Sequence, residues 1–151
     1  MSLHQTGILA PLPPVARYLT FTHKPDTDPR PVLHQLAQQV DGERVVAGFG
    51  QSLLQYCGVK VNGMHEMPAL SGAAVEVPST PASIWLWLRG DDRGELVHRT
   101  RSLKSLLAPA FDLRDAVDSY TFRSNRDLSG YEDGTENPQD EKAATAAIVH
   151  N

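Results

Sequence analysis

Residues 129–138 read Ser-Gly-Tyr-Glu-Asp-Gly-Thr-Glu-Asn-Pro, with carboxyl and carboxamide side chains set between two glycines and a proline. A carboxylate flanked by glycine, as Asp133 is, can approach a bound ligand closely because little shields it. Under a large apolar cofactor its proton affinity rises, and it can shuttle protons. Thr135, Glu136 and Asn137 add polar groups on the same edge. A purely structural account is also open. Gly130 and Gly134 permit positive φ, Asn137 is held extended by Pro138, and Asp133 can cap the next turn.

Other side chains capable of chemistry are scattered. The six histidines show no i,i+4 pair and no ligand-like spacing. His4 and His150 fall near the ends and His23 in a turn. His34 and His98 lie opposite the apolar stripes of two expected helices, and His65 sits beside Met64 and Met67; all six read as surface residues. Trp85 and Trp87 alternate on an expected strand and read as core or interface aromatics rather than radical carriers. Tyr120 and Tyr131 are read in the same way. Cys57, among apolar neighbours, reads as a small buried hydrophobe. Arg17, Arg123 and Arg126 read as a solvated face. The one cysteine excludes an internal disulfide and a cysteine-based metal cluster.

The elements that must position the loop follow from periodicity. Residues 1–14, rich in proline from Gly7 to Pro14, read as an extended arm. Val15 to Thr22 has strand propensity. A helix is expected from Asp28 as N-cap and Pro29 as first residue, with a stripe at Val32, Leu33, Leu36, Ala37 and Val40, stopped at Asp41-Gly42. Val45 to Gly50 is a second strand. Ser52 to Cys57 makes a helical turn or two, and an irregular connection runs to Ala82.

Ile84 to Leu88 is the strongest strand, expected to be central with both faces covered. Asp92 and Glu95 form a capping pattern for a helix with a stripe at Leu96, Val97, Thr100, Leu103, Leu106, Leu107 and Ala110. Ala116 to Phe122 is the last strand before the loop, and Glu141 to Val149 a short helix after it. The pattern is strand–helix–strand twice. It predicts an α+β, ferredoxin-like (βαββαβ-type) domain over residues 15–138, an antiparallel sheet with helices on one face. Residues 139–151 are expected to hold that short helix and the start of a link to a further domain.

At 151 residues and 40% hydrophobic composition the chain can bury one core. A net charge of −4 with scattered basic residues disfavours a nucleic-acid partner. No apolar run reaches the roughly 18–20 residues of a membrane span, and no signal-peptide pattern is visible, which points to the cytoplasm.

The stretch from Gly130 to Pro138 resembles the G-x-x-D-G loop of dye-decolorising peroxidases, haem enzymes built from two ferredoxin-like domains. Residues 46–54, Val-Ala-Gly-Phe-Gly-Gln-Ser-Leu-Leu, and 84–90, Ile-Trp-Leu-Trp-Leu-Arg-Gly, also look like the family's first domain. The resemblance runs from about residue 5 to the end. It implies haem b as cofactor, hydrogen peroxide and a small dye- or phenol-like reductant as substrates, and Asp133 as the acid–base residue that moves a proton between the peroxide oxygens. It further implies that Gly130, Tyr131, Glu132, Gly134, Thr135, Glu136 and Asn137 face the haem. The family's axial histidine and distal arginine lie in its second domain, and no residue here matches either. The chain is therefore expected to be the N-terminal half of such an enzyme, inactive alone and prone to self-association. The alternative is a ferredoxin-like binding or assembly module without redox activity.

Overall fold

A computed structural model describes residues 6–132 and 134–148; Asp133, His4, His150 and Val149 lie outside them. The elements are α1 (Thr6–Leu9), β1 (Val15–His23), α2 (Arg30–Ala37), β2 (Val45–Phe49), α3 (Gln51–Tyr56), β3 (Leu70–Ser71), β4 (Glu76–Val77), β5 (Ile84–Gly90), α4 (Arg93–Leu107), β6 (Phe111–Tyr120) and α5 (Asp140–Ala147).

The main sheet has the order β2-β5-β1-β6, with every neighbouring pair antiparallel. This is the ferredoxin-like arrangement: two strand–helix–strand units interleave so that the first strand of each, β1 and β5, lies at the centre. Alternation along those strands sorts the side chains. Leu19 and Phe21 of β1 pair with Leu86 and Ile84 of β5, and all four are fully buried. They join Val32 and Leu36 of α2 and Leu96, Leu103 and Leu107 of α4 in one core on the helical side.

Both helices begin where side-chain oxygens replace missing backbone acceptors. Asp92 accepts from the Glu95 amide at 2.8 Å and starts α4. Asp28 accepts from the Arg30 amide at 3.1 Å, and Pro29 is already helical in φ and ψ. Asp41 gathers the amides of Glu43, Arg44 and Val45 at 2.7–2.9 Å and turns the chain into β2. Partial burial pushes the Asp41 carboxyl up, but those backbone donors together hold it below its ordinary value.

Several expectations are corrected. The arm opens with the helical turn α1 instead of running extended from Gly7. β6 begins at Phe111, five residues earlier than expected, because Phe111 and Leu113 reach the core on alternate positions. β5 runs on through Arg89 and Gly90. Its two faces are unequal, for Trp85 is 39% exposed. Val97 of α4 is exposed, off the buried stripe. His23 is half-buried at the end of β1, between Tyr56 and Phe111, with Nε2 3.0 Å from the Thr27 carbonyl. The irregular connection contains the small hairpin β3–β4.

The sheet's edges differ from its middle. β2 is only five residues long. β6 carries Asp112, Arg114, Asp115 and Asp118, and its pairing with β1 shifts register between Thr20 and Phe21.

Candidate functional site

The loop of interest leaves the sheet where β1 begins. The Thr121 amide and hydroxyl both donate to the Pro14 carbonyl, at 3.0 and 3.4 Å. Beyond it, Phe122 bridges to Arg126 and Arg126 to Glu132, making a narrow antiparallel tongue. Arg126 organises the tongue. Its Nη1 donates to the Gly130 carbonyl at 2.5 Å, and its Nη2 lies 3.7 Å from Glu132 Oε1. The Ser124 hydroxyl donates to the same Glu132 oxygen at 3.0 Å.

At the tip, Asp127 closes a turn by accepting from the Ser129 hydroxyl and from the Ser129 amide at 2.8 Å. These bonds, the hydroxyl's first, hold the Asp127 carboxyl below the usual carboxylate range. The Gly130 amide returns to the Asp127 carbonyl and the Asp127 amide to that of Tyr131, both at 3.1 Å.

Of the residues singled out in sequence, the structure places Gly130, Tyr131 and Glu132 on this tongue. Gly134, Thr135, Glu136 and Asn137 form the next turn, closed by the Asn137 amide on the Gly134 carbonyl at 3.0 Å. Asp133, between the two groups, lies outside the described residues. Gly130 has φ +88° and Gly134 φ +74°, the left-handed region that glycine enters without strain. Among the described residues nothing stands within 4 Å of the position a Cβ would take at Gly130. At Gly134 a Cβ would meet Asn137 Nδ2 at 2.8 Å. Tyr131 is exposed. Arg123 and Asn125 within the tongue and Asp140 beyond it also adopt positive φ, a conformation that costs non-glycine residues some strain.

Sequence reasoning missed Ser124, Arg126 and Asp127 as the frame of the loop. The spacing Asp127-x-Ser129 is an Asx-turn signal that could have found one of them.

The three arginines singled out in sequence each have a partner within the chain, Arg126 as described. Arg17 pairs with Asp118 at 3.2 Å, and Asp118 also takes Arg93 at 2.7 Å. Arg123 lies over the Phe122 ring. Arg89, not foreseen as important, is buried with its guanidinium 4.7 Å from the centre of the Trp87 ring. It donates to the carbonyls of Gly7 at 3.2 Å, Glu43 at 3.3 Å and Pro11 at 2.6 Å, while its Nε finds no partner. It therefore ties the arm to the sheet. Arg89→Met is expected to lower stability by about 2–3 kcal/mol and to speed proteolytic cleavage within residues 6–14. Unchanged cleavage of the arm would remove Arg89 from this role.

A cleft of about 480 Å³ borders Arg89, Arg44, Arg99, Asp92 and Glu95, and no residue of the loop lines it. On the sheet face away from α2 and α4, Tyr18 stacks on Trp85 at 5.5 Å and on Trp87 at 6.3 Å between ring centres. Val117, paired with Tyr18 in the next strand, is 56% exposed there. α1 and α5 lie against one another. Among the described residues no helix is long and apolar enough to cross a membrane, and no group of three or more His, Cys, Asp or Glu is placed to hold a metal ion.

No family model matches the chain. It is similar to the dye-decolorizing peroxidase of Mycolicibacterium paratuberculosis, 25% identical over 94% of this chain and 44% of that protein. It is likewise 26% identical to that of Mycobacterium tuberculosis, over 94% of this chain and 46% of the relative. The chain thus spans about half the length of the curated relatives it matches. Among solved structures, DyPB from Rhodococcus jostii shares the fold at TM-score 0.80 and 24% identity, over 96% of this chain and 51% of that one. A variant of that protein, solved in complex with heme, superposes at TM-score 0.79 and 24% identity, over 93% of this chain and 50% of that one. A dye-decolorizing peroxidase from Bacteroides thetaiotaomicron matches at TM-score 0.72 and 15% identity, over 93% and 50%.

Proposed function

We propose that this chain, which resembles dye-decolorising peroxidases along nearly all its length, is the half of a haem peroxidase that carries the acid–base loop. The observation that carries the proposal is the coincidence of two resemblances. The likeness to these peroxidases extends over 94% of the chain, and the G-x-x-D-G sequence follows the end of β6, where the Thr121 amide is tied to Pro14 beside the start of β1.

The described residues fit one face of a flat tetrapyrrole. At Gly130 no described side chain fills the space, and Arg126 and Ser124 hold the neighbouring Glu132. None of the described histidines lies on the loop. The iron's protein ligand is assigned to the half of the relatives' length that this chain does not span. Haem, when bound, supplies the iron chemistry that reduces hydrogen peroxide and oxidises a donor one electron at a time.

This chain's part is proton transfer and positioning. The Asp133 carboxylate takes the proton from one peroxide oxygen and returns it to the other. Gly130 and Gly134 let the backbone approach the ring. Tyr131, Glu132, Thr135, Glu136 and Asn137 border its edge.

The product of the full reading frame containing this chain, incubated with haem, is expected to show a Soret band and to oxidise a phenol or dye only with hydrogen peroxide. Asp133→Ala is expected to keep the Soret band, since Asp133 does not ligate iron. Absence of haem uptake by the full product would overturn the proposal.

The aromatic face of Tyr18, Trp85 and Trp87 is assigned to the contact with that other half. In the isolated chain a second copy is expected to take its place. Sedimentation at high concentration should show an oligomer that Trp85→Lys shifts towards monomer. A sharp monomer for the parent chain would count against this use of the face.

A further inference from the structure

Met64, His65 and Met67 lie within four positions in the connection between α3 and β5, far in sequence from the haem-facing loop. All three line a cavity of about 220 Å³, together with Gln51, Glu66 and the segment from Ser79 to Ala82. The backbone that presents them is held from two directions. Gln51, the first residue of α3, donates from Nε2 to the Met64 carbonyl at 3.1 Å and accepts the Glu66 amide on Oε1 at 2.9 Å. His65 is fixed between these two anchors.

The imidazole is also oriented. His65 Nδ1 lies 3.1 Å from the Gly63 carbonyl. A carbonyl only accepts, so Nδ1 is the donor in this contact and the other ring nitrogen, Nε2, takes no part in it. A hydrogen bond of this kind, from the non-ligating nitrogen to a backbone carbonyl, sets the tautomer and ring orientation of metal-binding histidines. The methionines are accessible. Met64 is half-buried and Met67 is 54% exposed. A thioether as exposed as that of Met67 contributes little to packing.

We propose that Met64, His65 and Met67 form a binding site for a soft monovalent cation, copper(I), with silver(I) as its redox-inert analogue. Two thioethers and one imidazole match a soft d10 ion; thioether sulfur is a poor ligand for zinc, which takes thiolate, imidazole or carboxylate, and for magnesium, which takes oxygen. Glu66 is also among the residues lining the cavity, and its negative charge favours a monovalent cation there. Cys57 is the rival soft donor, but it is half-buried against the core.

The test is titration of the Cys57→Ser chain with silver(I) by calorimetry, and with copper(I) by competition against a chromogenic chelator under anaerobic, reducing conditions. One ion per chain is expected, and X-ray absorption of the copper(I) complex should show sulfur and nitrogen ligands. Met64→Leu combined with Met67→Leu is expected to weaken binding about 100-fold, and His65→Gln about 10-fold, with the far-ultraviolet circular dichroism of each variant unchanged. Loss of binding on Cys57→Ser alone, parental affinity in the double leucine variant, or equally tight zinc(II) binding would each overturn the proposal.

Discussion

Asp133→Asn is expected to lower peroxide-dependent turnover by about 10²–10⁴-fold in the haem-loaded product of the full reading frame, the range that a positioned proton-transfer group supplies. Asparagine keeps the size and the hydrogen-bonding capacity of the side chain but can neither take nor return a proton. The loss should therefore fall on the step with hydrogen peroxide, seen as a lower kcat/KM for peroxide. The kcat/KM for the reducing substrate should be unchanged. Asp127→Asn is the matched control. Asp127 lies six residues away on the same loop, but its carboxylate is occupied by the Ser129 hydroxyl and amide and is held in the ionised form. A group so held is a poor proton shuttle, and its amide variant should keep turnover within about twofold of the parent, because no proton-transfer contribution is removed. Equal losses in the two variants would assign the effect to loop structure, and full turnover in Asp133→Asn would end the acid–base assignment.

Leu86→Ala is expected to destabilise the chain by about 2–5 kcal/mol, measured by urea unfolding, whereas Trp85→Ala should cost clearly less. The two residues are adjacent on β5 and point to opposite faces. Leu86 is fully buried opposite Leu19, at the centre of the core shared with α2 and α4. Its truncation opens a cavity that two packed helices and a four-stranded sheet cannot close. Trp85 keeps more than a third of its surface in water. Its main partner is the Tyr18 ring, a contact worth about 0.5–1.5 kcal/mol. If Leu86→Ala cost no more than Trp85→Ala, the core would not lie on the helical side of the sheet.

Much of this fold was legible in sequence because the signals were local. Asp28 with Pro29, and Asp92 with Glu95, marked helix starts that the backbone amides then used. The alternation from Ile84 to Leu88 identified the central strand. The start of β6 was not legible. Phe111-Asp-Leu-Arg-Asp follows a helix end and a proline with only two apolar residues, and burial of Phe111 and Leu113 depends on where α4 lies. Coverage of the Trp85 face was misjudged for a related reason, since alternation gives two faces but not what packs on each. Arg89 looked like the polar end of a strand; its three carbonyl partners come from residues 7, 11 and 43, too distant in sequence to infer. Within the loop, the glycines announced the turns. The frame of Ser124, Arg126 and Glu132 needed the tongue to fold before it could be seen.

The edges of the sheet limit how this molecule can aggregate. A long bare edge strand would let copies add end to end without limit. Here one edge is five residues long, and the other carries four charged side chains and a register shift against its neighbour. Growth by strand addition is therefore disfavoured on both sides. If copies of the isolated chain join through the aromatic face about a two-fold axis, as expected above, they consume that face, and such an assembly closes at two instead of extending into a fibre.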